Sequence, residues 1–364
     1  MKKKTVRTVL LALAFLVFFV LLLSSCEMHS LIDKWSETSA ATVFLPSTEA
    51  PPTTTTAATA ATTATPAATT TSALTESPVS PIYRNPLTGL NEALAAVKAR
   101  PLAFCVGRAT SDRVAKADVV IEAPTEAAAT RLSLLGVSHT ALFPDLEIAS
   151  TRAHLAALTH DFFGISVYSG TSDNGLASIE FLYDTLDLSV KNCERTEEAL
   201  RDALDAAGIQ AEHAGGIVLP YTHVPQGETV IPDGNAASYV SVPFSEGSAT
   251  TFTYDAVRGQ YTMRTSSAMI EGDASPAFSN LILLFYDATR HITKDGVALT
   301  LDTELGGSGF YLSGGRVIPI FWRRDAITSS LTLTDTDGNR LAVNLGKTYV
   351  GMMTYEYRDR LIMN

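Results

Sequence analysis

The spacing of apolar and polar residues changes character several times along the chain, and each change marks a different kind of element. Val9 to Leu23 is unbroken and apolar. From about Ser36 to Ser80 the pattern dissolves. Residues 51 to 71 contain only Pro, Thr and Ala, with no large apolar side chain to offset the cost of ordering the chain. Regular structure is expected only beyond this stretch.

Asn85-Pro86-Leu87-Thr88-Gly89-Leu90 is rich in turn formers and leads to a short helical stretch ending near Lys98. Pro101 opens an apolar strand through Val106. Asp118 to Ile121 is a second strand, too apolar to have a wet face. Leu132 to Leu135 and Thr140 to Phe143 are shorter strands. Ser150 or Thr151 is placed to cap a helix whose Leu155, Leu158 and Phe162 form one buried stripe, with Gly164 as the left-handed residue after it. Ile165 to Tyr168 returns as a strand, and Ser169-Gly170-Thr171-Ser172 follows as a polar loop. A second amphipathic helix spans about Thr196 to Ala207, with Leu200 and Leu204 on one face and Gly208 after it. Strands alternating with helices give this half an α/β character.

After the loop-rich passage from Pro225 to Asn235 the period becomes two. Val240, Val242 and Phe244 alternate with polar residues, as do Phe252 and Tyr254, Leu331 and Leu333, and Leu341, Val343 and Leu345. Asp337-Gly338 signals a hairpin, and Ser313-Gly314-Gly315 joins Phe310-Tyr311-Leu312 to Val317 through Trp322. Asn280 to Tyr286 is apolar enough for a central strand. The expected fold is α+β: an α/β-like domain over residues 81–230, then a β-rich, mostly antiparallel domain over 231–364.

The amino end adds an address. Lys2, Lys3, Lys4 and Arg7 precede the apolar run, and Leu23-Ser24-Ser25-Cys26 follows it. A basic segment, a short apolar core and small residues describe a secretory signal over residues 1–25. A membrane-spanning helix needs about 20 apolar residues, more than this run supplies. The Leu-Ser-Ser-Cys quartet resembles a bacterial lipobox, which implies cleavage before Cys26 and lipidation of its thiol. Residues 26–80 then read as a lipid-anchored stalk, biased toward extended conformations by Pro and Thr. At about 3.1 Å per residue such a stalk reaches on the order of 100 Å. The expected location is the extracytoplasmic face of the cell membrane.

Losing residues 1–25 removes four cations and no acids, taking the formal net charge from -11 to -15. That argues against nucleic acid as a partner, since its binding depends on clustered Lys and Arg. Cys105 and Cys193 remain. They are either bonded to each other or unpaired, with Cys105 a buried thiol in its apolar strand.

Familiar motifs fail on inspection. Gly346-Lys347-Thr348 lacks the first Gly of a phosphate loop, because Leu341 stands there, and it reads as a turn leading into a strand. Gly306-Gly307-Ser308-Gly309 lacks the last Gly of a nucleophile elbow. The histidines show no metal spacing and read as surface or capping residues. Neither a metal nor a cofactor is expected.

What stands out is a charged stretch beside apolar runs. Glu122 and Glu126 follow the strand Asp118 to Ile121, Arg131 begins the next, and Arg152 opens a helix. Buried charges must pair or face a ligand. A cation in the first turn of a helix also needs a partner, for which Glu122 or Glu126 is suited.

At this stretch the sequence resembles the YerB-like lipoproteins, a bacterial family without an assigned biochemical role. The likeness covers most of residues 84 to 353. Its first part comprises Asn85 to Leu90, Arg100-Pro101, Ala117 to Glu122, Glu126, Thr130-Arg131 and Ser150-Thr151-Arg152. Its second comprises Tyr254-Asp255, Tyr261, Arg264, Gly309 with Tyr311, Val317 to Arg323, Asp337-Gly338 and Gly346 to Val350. The resemblance implies two α+β domains, an extracytoplasmic location and no established activity. The chain departs from the family at Gly107-Arg108, at Ser111 to Lys116, at Tyr168 where a His is usual, and near Asn192 to Arg195.

Two functions compete. In one, an envelope protein without catalysis binds a cell-wall component or another envelope protein. Arg131 and Arg152 recognise an anionic group, Glu122 and Glu126 orient them, and Tyr168 completes the ligand-binding set. In the other, a wall-glycan hydrolase uses Glu122 and Glu126 as acid and base, which requires carboxylates about 5–9.5 Å apart across an open cleft. Both compete with an ion-pair network that merely fixes the strand-to-helix joint.

Overall fold

Apolar runs and period-two alternation become strands almost wherever they occur, and turn residues end them. The computed structural model describes residues 83–126, 129–137, 146–170, 183–188, 197–213, 217–293, 296–325 and 329–364. The signal segment, Cys26, the stalk, Thr140 to Phe143, Thr171-Ser172 and Cys193 lie outside the described residues.

The first half contains β1 (Tyr83–Arg84), β2 (Asn91–Glu92), α1 (Leu94–Lys98), β3 (Leu102–Thr110), α2 (Ser111–Lys116), β4 (Val119–Pro124) and β5 (Thr130–Gly136). It continues with β6 (Glu147–Ile148), α3 (Ala153–Asp161), β7 (Ile165–Tyr168), β8 (Thr185–Asp187), α4 (Glu197–Ala206) and β9 (Thr222–His223). The second half opens with β10 (Asn235–Ala236), β11 (Tyr239–Ser245), β12 (Ser248–Asp255), β13 (Gln260–Thr265), β14 (Met269–Glu271), β15 (Ala277–Phe278) and β16 (Asn280–Tyr286). Then come β17 (Ala288–Thr293), β18 (Gly296–Leu301), β19 (Leu305–Ser313), β20 (Arg316–Arg324), β21 (Thr332–Thr334) and β22 (Ala342–Val343). The chain closes with β23 (Thr348–Thr354), a 3-10 helix (Tyr355–Arg360) and β24 (Ile362–Met363).

Among the described residues the largest sheet runs in the order β10-β20-β19-β16-β23-β4-β5-β3-β7-β8. Strands of both halves are hydrogen-bonded within it, through the parallel pairing of β4 with β23 from Thr348↔Val119 to Gly351↔Glu122. The expected division at 230/231 therefore marks a change in strand character, while one sheet continues across it. The second half is strand-rich and mostly antiparallel, and β16–β23 is a parallel exception.

Both faces of the sheet's central strands β16, β23, β4, β5 and β3 are largely covered, so these strands lose plain polar alternation, whereas β20 near the edge keeps it. Phe104, Val120, Leu134 and Leu283 point toward a second sheet, ordered β15-β13-β12-β11-β24, where they meet Val242 and Phe252. Ala103, Ile121, Leu135 and Ile282 point the other way, toward Leu155, Leu158 and Phe162 of the expected helical stripe. Each large apolar side chain so buried contributes about 1.5–3 kcal/mol.

Two details of α3 differ from expectation. Its N-cap is Arg152, without a side-chain cap, so neither Ser150 nor Thr151 serves. The left-handed residue after it is Phe163, at φ 60. Gly164 is required for space instead, because a Cβ there would lie 2.9 Å from Thr159 Cγ2 and 3.0 Å from the Thr159 carbonyl oxygen.

The turn residues of the first likeness are structural. Asn85 Oδ1 accepts the amides of Leu87 and Thr88, and its Nδ2 donates to Asp118 Oδ2 at 3.0 Å. Gly346 N donates to the Thr88 carbonyl, and Thr348 N donates to that of Asp118. Gly346-Lys347-Thr348 thus leads into β23 as a turn, tying the start of the body to its last long strand.

Candidate functional site

Strand register decides which charges meet. On β4 and β5, Glu122 lies opposite Leu132, and Ala123 lies opposite Arg131. Neighbouring residues on a strand face opposite sides. Glu122 therefore points toward the second sheet, and Arg131 points toward the side carrying α3. The sequence reading placed them in one site, but the pleat puts the sheet between them.

Glu122 is 0 % exposed. Its Oε1 accepts from Thr130 Oγ1 at 2.6 Å, and its Oε2 accepts from Tyr349 OH at 2.7 Å and Thr250 Oγ1 at 2.8 Å. Burial pushes its carboxyl above the usual carboxylate range, and those hydrogen bonds offset part of the rise. The three donors come from β5, β12 and β23, so this carboxyl joins both sheets and both halves of the chain. It is enclosed, and it does not pair with Arg152 or line a cleft.

Glu126 lies beyond the end of β4 and does meet Arg152. Arg152 Nε donates to Oε2 at 2.8 Å and Nη2 to Oε1 at 2.7 Å, a bidentate fork. Arg152 Nη1 adds Ser150 Oγ at 3.2 Å and the Thr151 carbonyl at 2.9 Å. Burial raises the Glu126 carboxyl, but the Arg152 hydrogen bonds, its own backbone amide and the charges of Arg152 and Arg131 together outweigh it and hold the group below the usual range. Of the two expected partners for Arg152, Glu126 is the one used.

Arg131 completes the cluster, and among the described residues it has no carboxylate of its own. Its Nη1 donates to the Thr130 carbonyl at 3.3 Å, and its Nε is buried without a hydrogen-bond partner. The guanidinium lies against Gly107, where a Cβ would sit 2.9 Å from Nη1. Glycine at position 107 thus makes room for the arginine. An unmatched buried donor costs about 1–3 kcal/mol.

The cluster stands at a place that suits ligands. β3, β4 and β7 run in one direction, since β5 is antiparallel to both β3 and β4 and β3 is parallel to β7. Glu126 follows the carboxyl end of β4, and Arg131 faces its penultimate residue. Ligands of sheets with parallel strands gather at such ends. Tyr168 ends β7 but is 1 % exposed and belongs to the apolar core on the α3 side. Its ring is enclosed and offers no open surface.

Two further chemistry-bearing groups, Cys105 and His154, are enclosed. Cys105 is a free, buried thiol, pushed up to about 11 by burial. His154 is buried too, a departure from its expected surface or capping role. Burial pushes it down to about 4, and its Nε2 is 3.1 Å from the Pro124 carbonyl. Among the described residues no group of three or more His, Cys, Asp and Glu is arranged to hold a metal ion.

One buried ion pair was not legible beforehand. Asp161 of α3 pairs with Arg324 of β20, and both side chains are almost wholly enclosed. Asp161 Oδ1 also accepts Leu331 N at 3.0 Å, and Arg324 donates to the carbonyls of Thr303 and Ser329. Nothing in the local sequence links positions so far apart.

Residues 240–350 match a family model described as the C-terminal domain of a protein of unknown function (DUF3048). No curated protein matches the chain. The crystal structure of YerB protein from Bacillus subtilis is similar at a TM-score of 0.58 and 20% sequence identity, covering 74% of this chain and 96% of that one. At that identity the likeness speaks for a shared fold. The family match is confined to residues 240–350, and the likeness to the YerB structure extends a shared fold over most of the chain.

Proposed function

We propose that this chain is an extracytoplasmic, lipid-anchored protein with a non-catalytic binding or scaffold role at the bacterial cell envelope. The anchor is Cys26, the stalk carries the body outward, and the ligand is an anionic group of a wall component or envelope protein. The observation that carries the binding role is the buried, unmatched Nε of Arg131 beside an Arg152 already held by Glu126. A spent fork next to an unspent donor suits recognition of a carboxylate or phosphate oxygen better than proton transfer.

The hydrolase alternative draws no support from Glu122. A carboxyl that is 0 % exposed and accepts three hydroxyls cannot flank a scissile bond across an open cleft.

The test is to express the full chain in bacteria with and without Cys26→Ser and follow its partition into detergent. The intact chain should enter the detergent phase and be open to protease at the cell surface, and Cys26→Ser should leave that phase. Detergent partition that survives Cys26→Ser, or protection inside the cell, would overturn the proposal.

A further inference from the structure

A groove of about 770 Å³ lies over β19, β20 and β21, away from the charged cluster. Register explains its shape. Phe321 lies between Ser308 and Thr334, and Arg323 lies between Gly306 and Thr332. Phe321 is 49% exposed, which is unusual for an aromatic ring within a sheet. Beside it the floor is low. At Gly306, across from Arg323, a Cβ would sit 2.7 Å from the Trp322 carbonyl oxygen, so close approach of β20 forbids a side chain there. Ser308, across from Phe321, adds only a hydroxyl, leaving a flat strip next to an open ring. Leu305, held at φ 63 and 75% exposed, forms one lip.

The rim is polar and electrically balanced. Thr332 and Thr334 line the groove with hydroxyls, and Arg323 Nε donates to Asp325 Oδ1 at 2.7 Å. Those two are the charged residues lining the groove, and they neutralise each other. A strongly anionic or cationic ligand finds no complement here, even though the chain carries a net charge of -11. A peptide strand finds no free edge beside Phe321 either, because β21 already pairs with β20 from Phe321 to Arg323.

A flat strip, one exposed aromatic face, hydroxyl donors and acceptors, and no net charge fit one ligand chemistry. We propose that this groove binds a neutral saccharide segment, with the C–H face of one ring on Phe321 and its hydroxyls on Thr332 and Thr334. Only the natural source of the saccharide rests on the envelope reading. Binding by purified protein is independent of location, and the variants below leave Arg131 and Arg152 intact, so the two proposals fail separately.

Trp322 lies under the groove and reports on it. Trp35→Phe removes the other indole, leaving Trp322 as the chain's single one. The purified full chain carrying that change is titrated with the β-1,4-linked tetramer of N-acetylglucosamine while fluorescence is followed. A saturable change is expected. Phe321→Ala should weaken it by up to about tenfold, and Phe321→Trp should keep it. Thermal unfolding of each variant verifies folding, with a midpoint expected close to the parent's because the position is half exposed. No saturable change with the tetramer, equal binding by a folded Phe321→Ala, or displacement by an uncharged extended peptide would overturn the proposal.

Discussion

Glu122 and Glu126 stand four positions apart, yet they belong to different parts of the molecule. Glu122 is locked between two sheets by three hydroxyls, and Glu126 forks onto an arginine at the edge of one sheet. The difference arises where β4 ends. Inside the strand the pleat commits a side chain to one face, and beyond its last residue the chain turns and is free to meet α3. A carboxyl in the first setting stabilises architecture, and one in the second positions a cation.

The largest effects belong to the enclosed charges. Arg324→Ala leaves Asp161 buried without its cation and should cost about 3–5 kcal/mol in urea unfolding. Burial already pushes Asp161 up to about 6. Glu122→Leu strands the hydroxyls of Thr130, Thr250 and Tyr349 and should cost about 3 kcal/mol or more by the same measurement. Glu122→Gln keeps acceptors for some of them and should cost less.

Arg152→Ala comes next, at about 1.5–3 kcal/mol, because it removes charge-assisted hydrogen bonds from a partly exposed carboxylate. This loss should depend on pH. The folded-state carboxyl of Glu126 lies below its unfolded value, so its contribution is present above about pH 4.3 and disappears as the pH falls through the folded value. Urea midpoints of the parent and Arg152→Ala should therefore converge on acidification from about pH 5. A constant gap would mean that Arg152 acts through packing and not through Glu126. The smallest net loss is expected at Arg131, where alanine gives up packing and one hydrogen bond but also relieves an unmatched buried donor that itself costs about 1–3 kcal/mol.

Periodicity made most of the body legible. The buried run of β16, the alternation of β11, the stripe Leu155-Leu158-Phe162 and the glycine turn after Ser313 are all where the pattern places them. Pairing was harder to read. No local pattern says that β23 lies beside β4, so the sheet's continuity across residue 230 was hidden, as was the Asp161–Arg324 bridge. Within the charged stretch, the helix dipole points to the Arg152 partnership, whereas the apolar run stops at Ile121 and gives no sign that the strand includes Glu122. It continues to Pro124, and that extension puts Glu122 under the pleat's rule. Gly164 misled for a similar reason: crowding against Thr159 looks, in sequence, like a helix stop.

Thermal unfolding of the full chain in matched phosphate and chloride buffers tests the division between these two carboxylates most directly. Phosphate should raise the midpoint of the parent and of Glu122→Gln alike, because Glu122→Gln leaves the guanidinium cluster intact, and it should raise that of Arg131→Ala less, by only the general stabilisation an excluded anion gives. An equal rise in Arg131→Ala, or a loss of the response in Glu122→Gln alone, would contradict the account.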